Sequence, residues 1–322
     1  MNNDKKQIDK REIYAILIMA FLFIVIHGIA LLITGTFQEE GMQAFEDPDN
    51  PINIIYILFI MLIFTAIILL IAKFWKKQLI QIIILGAIGY TSSYVFYPLF
   101  NIILPNSINI AIPINENSSI LLSVSIIISF ILALSLVIIL YKFPEWYVID
   151  ICGIIIGAGA IAIFGISLGI FLVIILLISL AIYDAISVYK TKHMIDLADT
   201  VMDLKLPVLL VVPKIRKYSL IKETKRLKEK LEEGSEREAF FMGLGDIVMP
   251  GILVVSTYNN ISNSLPIALS VIIGTLIGFV FLMNYVIKGK PQAGLPFLCG
   301  GAILGYIISS LVLYGELKGL IL

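Results

Sequence analysis

Two cysteines and two histidines are all that 322 residues contain, and only 14% of the chain is charged. Cys152 and Cys299 both sit in apolar runs. There a lone thiol packs as a small residue, and the pair gives neither a disulfide framework nor a metal-ligand spacing. His27 stands in its apolar segment without the further donors a metal requires, so it reads as a side chain hydrogen-bonded within a bundle. No metal and no cofactor is expected. Formal net charge is zero, which gives no general attraction to nucleic acid or acidic partners. No internal repeat is visible. So little charge, against 59% hydrophobic residues and a mean hydropathy of +1.01, excludes a soluble globular domain.

What the chain has in abundance is apolar runs. Nine of them approach the ~20 residues needed to cross ~30 Å of hydrocarbon. They are 13–34, 52–72, 78–100, 118–141, 146–164, 167–188, 239–258, 264–287 and 295–315. The expected fold class is an all-α polytopic membrane protein with nine transmembrane helices. The first run follows Lys5, Lys6, Lys10 and Arg11, like a signal peptide, but it is too long for one and suits a retained span. The run 146–188 is too long for a single span and fits two, joined by a tight turn at Gly165-Ile166-Ser167.

Lys and Arg alternate between the connections. The basic N-terminus is followed by 35–51, which carries Glu39, Glu40, Glu46, Asp47 and Asp49 but no Lys or Arg. Lys73, Lys76 and Lys77 come next, then none over 98–117, then Lys142, and later the Lys- and Arg-rich 189–238. This pattern puts the N-terminus in the cytoplasm and the C-terminus outside, which requires an odd number of spans. The expected division is an N-terminal six-helix bundle over 1–188, a cytoplasmic loop over 189–238 and a C-terminal three-helix bundle over 239–322. Within the loop, Met194, Leu197, Ala198, Val201 and Leu204 fall at helical spacing and suit a short amphipathic helix. Residues 206–213, bracketed by Pro207 and Pro213, read as extended or re-entrant. Residues 219–238 read as a charged, solvated helix.

Two acidic groups stand out because a carboxylate inside a membrane helix costs several kcal/mol and is by default functional. Asp184 lies four residues from the inner end of the sixth span, or ~6 Å at 1.5 Å per residue. Asp246 lies seven residues into the seventh, or ~10 Å by the same rise. The difference is less than one helical turn, so antiparallel neighbours bring both carboxyls to a similar level. Two carboxylates ~3 Å apart in a low-dielectric setting cannot both ionise cheaply and share a proton. The ionised one can activate water while the protonated one donates to a carbonyl oxygen. Gly243 and Gly245 remove side chains beside Asp246 and leave room for a substrate backbone.

Tyr183-Asp184 followed by Gly243-Leu244-Gly245-Asp246 resembles the paired motifs of the presenilin and signal peptide peptidase family, the GxGD intramembrane aspartyl proteases. The likeness extends to the nine-span layout and the long loop between spans six and seven. That family also carries a Pro-Ala-Leu motif opening its ninth span. The matching place here reads Ala293-Gly294-Leu295-Pro296, which keeps the Leu and following Pro and departs at the first two positions. The resemblance implies that Asp184 and Asp246 hydrolyse peptide bonds of transmembrane helices, with Tyr183, Gly243, Leu244, Gly245 and residues 293–296 in support. It implies a multi-pass protein of a microbial cell membrane, favours substrates whose N-terminus lies outside, and leaves autocleavage of the 189–238 loop to analogy. Partners are then transmembrane helical peptides and the lipid bilayer, and not nucleic acid; a homo-oligomer is compatible. A helical peptide bond is shielded, so substrate must unwind, and extended edges at 206–213 and 288–295 would accept it by strand addition.

Rival readings are an ion-coupled transporter using two membrane aspartates, which should show inverted repeats and midplane sites, a prepilin-type peptidase, and a non-catalytic scaffold. The remaining polar positions read as structural. Asp150 follows Trp146 and Tyr147 as an interfacial group. Asn284 and Tyr285 suit interhelical hydrogen bonds, and Gly157, Gly159, Gly165 and Gly169 suit close helix packing.

Overall fold

A computed structural model describes residues 10–60, 63, 67, 77–111, 118–191, 209–215, 218–220, 238–287 and 292–320. The expected amphipathic helix at 194–204 and most of the charged helix at 219–238 lie outside them. The described helices are α1 (Lys10–Glu39), α2 (helical over 52–60), α3 (Lys77–Ala111), α4 (Ser118–Lys142), α5 (Trp146–Ser167), α6 (Ile170–Ile186), α7 (Leu244–Asn260), α8 (Leu265–Val286) and α9 (Leu295–Tyr314). Two strands, β1 (Leu209–Pro213) and β2 (Ala239–Gly243), pair antiparallel. Among the described residues, seven helices are long and apolar enough to cross a membrane.

Several boundaries differ from the expectation. The break between α5 and α6 falls at Leu168–Gly169, not at Gly165, because the extended chain there receives the loop that follows α1: the Gly169 amide donates to Pro48 O at 2.8 Å. Gly165 stays helical and admits Val255 of α7 against the α5 backbone. The larger correction concerns 239–243. Ala-Phe-Phe-Met-Gly is strand, so α7 begins at Leu244 and Asp246 sits in its first turn rather than two turns inside. Aromatic side chains such as Phe240 and Phe241 pack well on a pleated surface, and Pro213 and Gly243 stand at opposite ends of the pair.

The core runs along α5, whose neighbours are α1, α3, α4, α7 and β1. One face of α5, at the i, i+3, i+7 spacing, carries Asp150, Gly153 and Gly157. A Cβ on Gly153 would lie 2.8 Å from Leu210 Cδ2, and one on Gly157 would lie 3.1 Å from Leu244 Cδ1. These two glycines form the groove that receives β1 and the start of α7. Asp150 is buried at 6% exposure and accepts the Val211 amide at 2.8 Å, so it is no interfacial group. Asn284 donates to Val280 O of its own helix at 3.0 Å rather than across helices. Likewise His27 Nδ1 lies 2.6 Å from Phe23 O on its own helix.

α8 and α9 approach until their backbones touch. A Cβ on Gly274 would strike Gly301 O, one on Gly278 would strike Phe297 O, and one on Gly305 would strike Ser270 O. Gly274 and Gly278, with Gly301 and Gly305, are two small-xxx-small pairs facing each other, the packing favoured where lipid gives no hydrophobic drive.

Candidate active site

Three helices meet where the two acids lie, since α6, α7 and α9 contact one another pairwise. Asp184 is in the last turn of α6, buried at 6% exposure. Asp246 is the third residue of α7 and half-buried. Neither acid sits on a loop, so rigid elements aim both.

Each carboxylate sits at a helix N-terminus, where free amides and the macrodipole favour negative charge. Asp246 belongs to the first turn of its own helix. Its Oδ2 lies 3.4 Å from the place a Cβ on Gly243 would occupy. Asp184 reaches across to α9, where the Leu295 amide donates to its Oδ2 at 3.1 Å and the Gly294 amide also points to it. Pro296 follows in the first turn and brings no N–H donor of its own.

Gly294 joins the two halves. A Cβ there would stand 2.8 Å from Asp246 Oδ2 and 3.1 Å from its Cγ. Asp184 and Asp246 therefore converge on the same two-residue stretch, Gly294–Leu295, and are close enough for their charges to interact. Cys299, on the next turn of α9, is fully buried and within electrostatic range of both.

The remaining candidates divide. Leu244 is buried in the α5 groove and fixes the first turn of α7. Ala293 is fully buried, while Leu295 and Pro296 are half-buried beside the acids. Gly245 is exposed, and a Cβ there would meet open space. Tyr183 is 70% exposed; adjacent helical residues point about 100° apart, so it cannot share the direction of Asp184. Sequence reasoning missed the backbone donors of 294–295, which no side-chain pattern announces. It also missed a bond from Tyr189 OH to Gln292 Oε1 at 2.7 Å, linking the exit of α6 to the approach of α9.

The bond to Asp150 shows which pairs of the small sheet are hydrogen-bonded. Because the Val211 amide points to Asp150, Val211 and Phe241 form a non-hydrogen-bonded pair, and the bonded pairs are Leu210–Met242 and Val212–Phe240. The Lys214 amide continues this alternation by donating to Glu238 O at 2.8 Å. The N–H and C=O groups of Ala239, Phe241 and Gly243 thus point to the edge of β2 away from β1.

A family model described as signal-peptide peptidase, presenilin aspartyl protease matches residues 20–314. No curated protein matches the chain. A solved presenilin family intramembrane aspartate protease in a P2 crystal form is 33% identical, with 91% of this chain and 96% of that one covered and a TM-score of 0.65. A C222 form described in the same words is 31% identical over 92% and 99% of the two chains, with a TM-score of 0.65. A chain with this match over most of its length, with apolar helices fit to cross a bilayer and two acids meeting where α6, α7 and α9 pack together, belongs to the signal-peptide peptidase and presenilin family of intramembrane aspartyl proteases.

Proposed function

We propose that Asp184 and Asp246 are the catalytic dyad with which this membrane protease cuts transmembrane helical substrates. The observation carrying the assignment is the convergence of both carboxyl groups on Gly294–Leu295. One carboxylate takes a proton from water as the water oxygen attacks the peptide carbonyl carbon. The other, protonated, gives its proton to the carbonyl oxygen. The tetrahedral diol then collapses: the first carboxyl gives the proton it took from water to the nitrogen, the C–N bond breaks, one diol hydroxyl returns its proton to the second carboxylate, and a carboxylic acid and an amine leave with the dyad restored.

Substrate presentation follows from the sheet. The outer edge of β1 bonds Asp150, and among the described residues no strand pairs with the other edge of β2, which leads within three residues to Asp246. An unwound substrate segment added to β2 as a third strand would lie beside both acids. Gly243 and Gly245 keep that approach clear. The alternation of Lys and Arg supports a nine-span chain with its N-terminus in the cytoplasm and its C-terminus outside, divided as 1–188, 189–238 and 239–322. The dyad then lies toward the cytoplasmic side.

The deciding experiment is cleavage of a model transmembrane peptide by purified protein, comparing wild type with Asp184→Ala and Asp246→Ala. Loss of proteolysis in both is expected. Cleavage surviving both substitutions would overturn the assignment.

A further inference from the structure

Outside the dyad, the chain places a second buried carboxylate where the proposed chemistry has no use for it. Asp150 is one turn into α5, 6% exposed, and its Oδ1 accepts the Val211 amide at 2.8 Å. Just before it, Glu145 accepts Ser219 Oγ at 2.6 Å and the Leu220 amide at 3.1 Å. On the other side, Lys214 Nζ pairs with Glu12 of α1 at 2.9 Å and stands 4.3 Å from the centre of the Phe240 ring. Three carboxylates from the bundle therefore hold Val211, Lys214 and the pair Ser219–Leu220. Only Asp150 is buried, and it alone bonds the strand itself.

The mechanical consequence runs in one direction. Asp150 fixes Val211, β1 fixes β2 by its ladder, and β2 leads without a linker into Leu244, Gly245 and Asp246. The same α5 face seats Leu210 against Gly153 and Leu244 against Gly157. Both ends of the sheet-to-helix junction are thus referred to one helix.

We propose that Asp150 is a positioning residue for proteolysis: by holding the Val211 amide it sets the place of β2 and Asp246 relative to Asp184, and it closes the β1 edge so that substrate adds only to β2. The proposal rests on the dyad and strand-addition reading above. It requires an acceptor oxygen at this position, not a charge.

The test compares Asp150→Asn, which keeps an acceptor, with Asp150→Leu, which removes it, on a model transmembrane peptide. For Asp150→Leu, kcat should fall ~10- to 100-fold with KM changed less than about threefold, since a misplacement of ~1 Å suffices for such a loss. Asp150→Asn should keep most of the wild-type kcat. Wild-type kcat in Asp150→Leu, or an equal fall in both variants, would overturn the proposal. Should Asp150→Leu fail to fold, Val211→Pro removes the donor without removing a ladder bond, because this amide faces away from β2. It should show the same fall in kcat, and an unchanged kcat would again overturn the proposal. Amide hydrogen exchange over 238–247 gives a readout free of catalysis: it should accelerate in Asp150→Leu and not in Asp150→Asn. If the wild type cut no peptide, the dyad reading would fail, while unaltered exchange in Asp150→Leu would separately sink the positioning role.

Discussion

The Leu295 amide donates to Asp184 Oδ2 at 3.1 Å, so the N-terminus of α9 is capped by an acid that α6 supplies. Capping is normally local, with an Ncap side chain serving its own helix. Here Gly294 occupies that place and has no side chain to offer. A helix end that needs an acceptor and an acid that needs donors satisfy each other across the bundle, and this tie orients Asp184 beside Asp246.

That tie separates two roles that a single substitution would otherwise confuse. Asp184→Asn keeps an oxygen able to accept the Leu295 amide but no ionisable group. It should melt close to wild type while cleavage falls by ~10²- to 10⁴-fold, the usual worth of general acid–base catalysis. Asp184→Leu should lose both, with a further stability cost of ~1–2 kcal/mol for the missing acceptor. Thermal melting in detergent beside peptide cleavage checks the pair; full activity in Asp184→Asn would remove Asp184 from the chemistry.

Gly294 predicts a graded series. A methyl group at 2.8 Å from Asp246 Oδ2 obliges the carboxylate to move by a few tenths of an ångström. The carboxylate is the free end of a side chain, so Gly294→Ala should lower kcat by only about two- to tenfold. Gly294→Val, branched toward the same oxygen, should lower it ~100-fold or more. Equal activity across the three would show that Asp246 does not need its place beside Gly294.

Asp184 and Asp246 stood out in the sequence because a carboxylate within an apolar run is costly; their meeting at Gly294–Leu295 did not depend on the expected depth, since Asp246 lies at the start of its helix rather than two turns inside it. Pro207 and Pro213 marked 206–213 as extended or re-entrant, and its described part, Leu209–Pro213, is a strand. Its partner was not so marked. Ala-Phe-Phe-Met-Gly is an uninterrupted apolar run, and periodicity alone cannot tell such a strand from the first turn of a helix. Asp150 was misread for a related reason: beside Trp146 and Tyr147 it has the look of an interface, and only the three-dimensional return of Val211 shows it buried. The amides of Gly294 and Leu295 belong to the backbone, which every sequence possesses alike.

The pH profile of cleavage should be bell-shaped. At the acid limit both carboxyls carry protons and no base remains for water. At the alkaline limit both are ionised and no proton is available for the carbonyl oxygen. Activity is greatest where the pair holds one proton, and both limbs belong to the pair rather than to either residue. Measurement of kcat/KM over the pH range in which the protein stays folded checks this. A profile with one limb only would show that a single ionisation governs the reaction.

The last prediction concerns what holds α9 in reach of Asp184. Gly274 and Gly278 of α8 touch the backbone of α9 at Gly301 and Phe297, so no side chain can be added there without parting the helices. Gly301→Leu should push α9 outward, costing ~1–3 kcal/mol by overpacking. It should also lower cleavage, because the Leu295 amide moves with its helix. Gly300, one residue earlier, meets nothing within 4 Å of its Cβ position. Gly300→Leu should therefore leave melting and cleavage near wild type. Equal melting and cleavage in the two variants would show that the contact between α8 and α9 does not govern the site. A selective loss at 301 would tie the distance between two glycine-lined helices, far from the acids in sequence, to the rate at which the bond is cut.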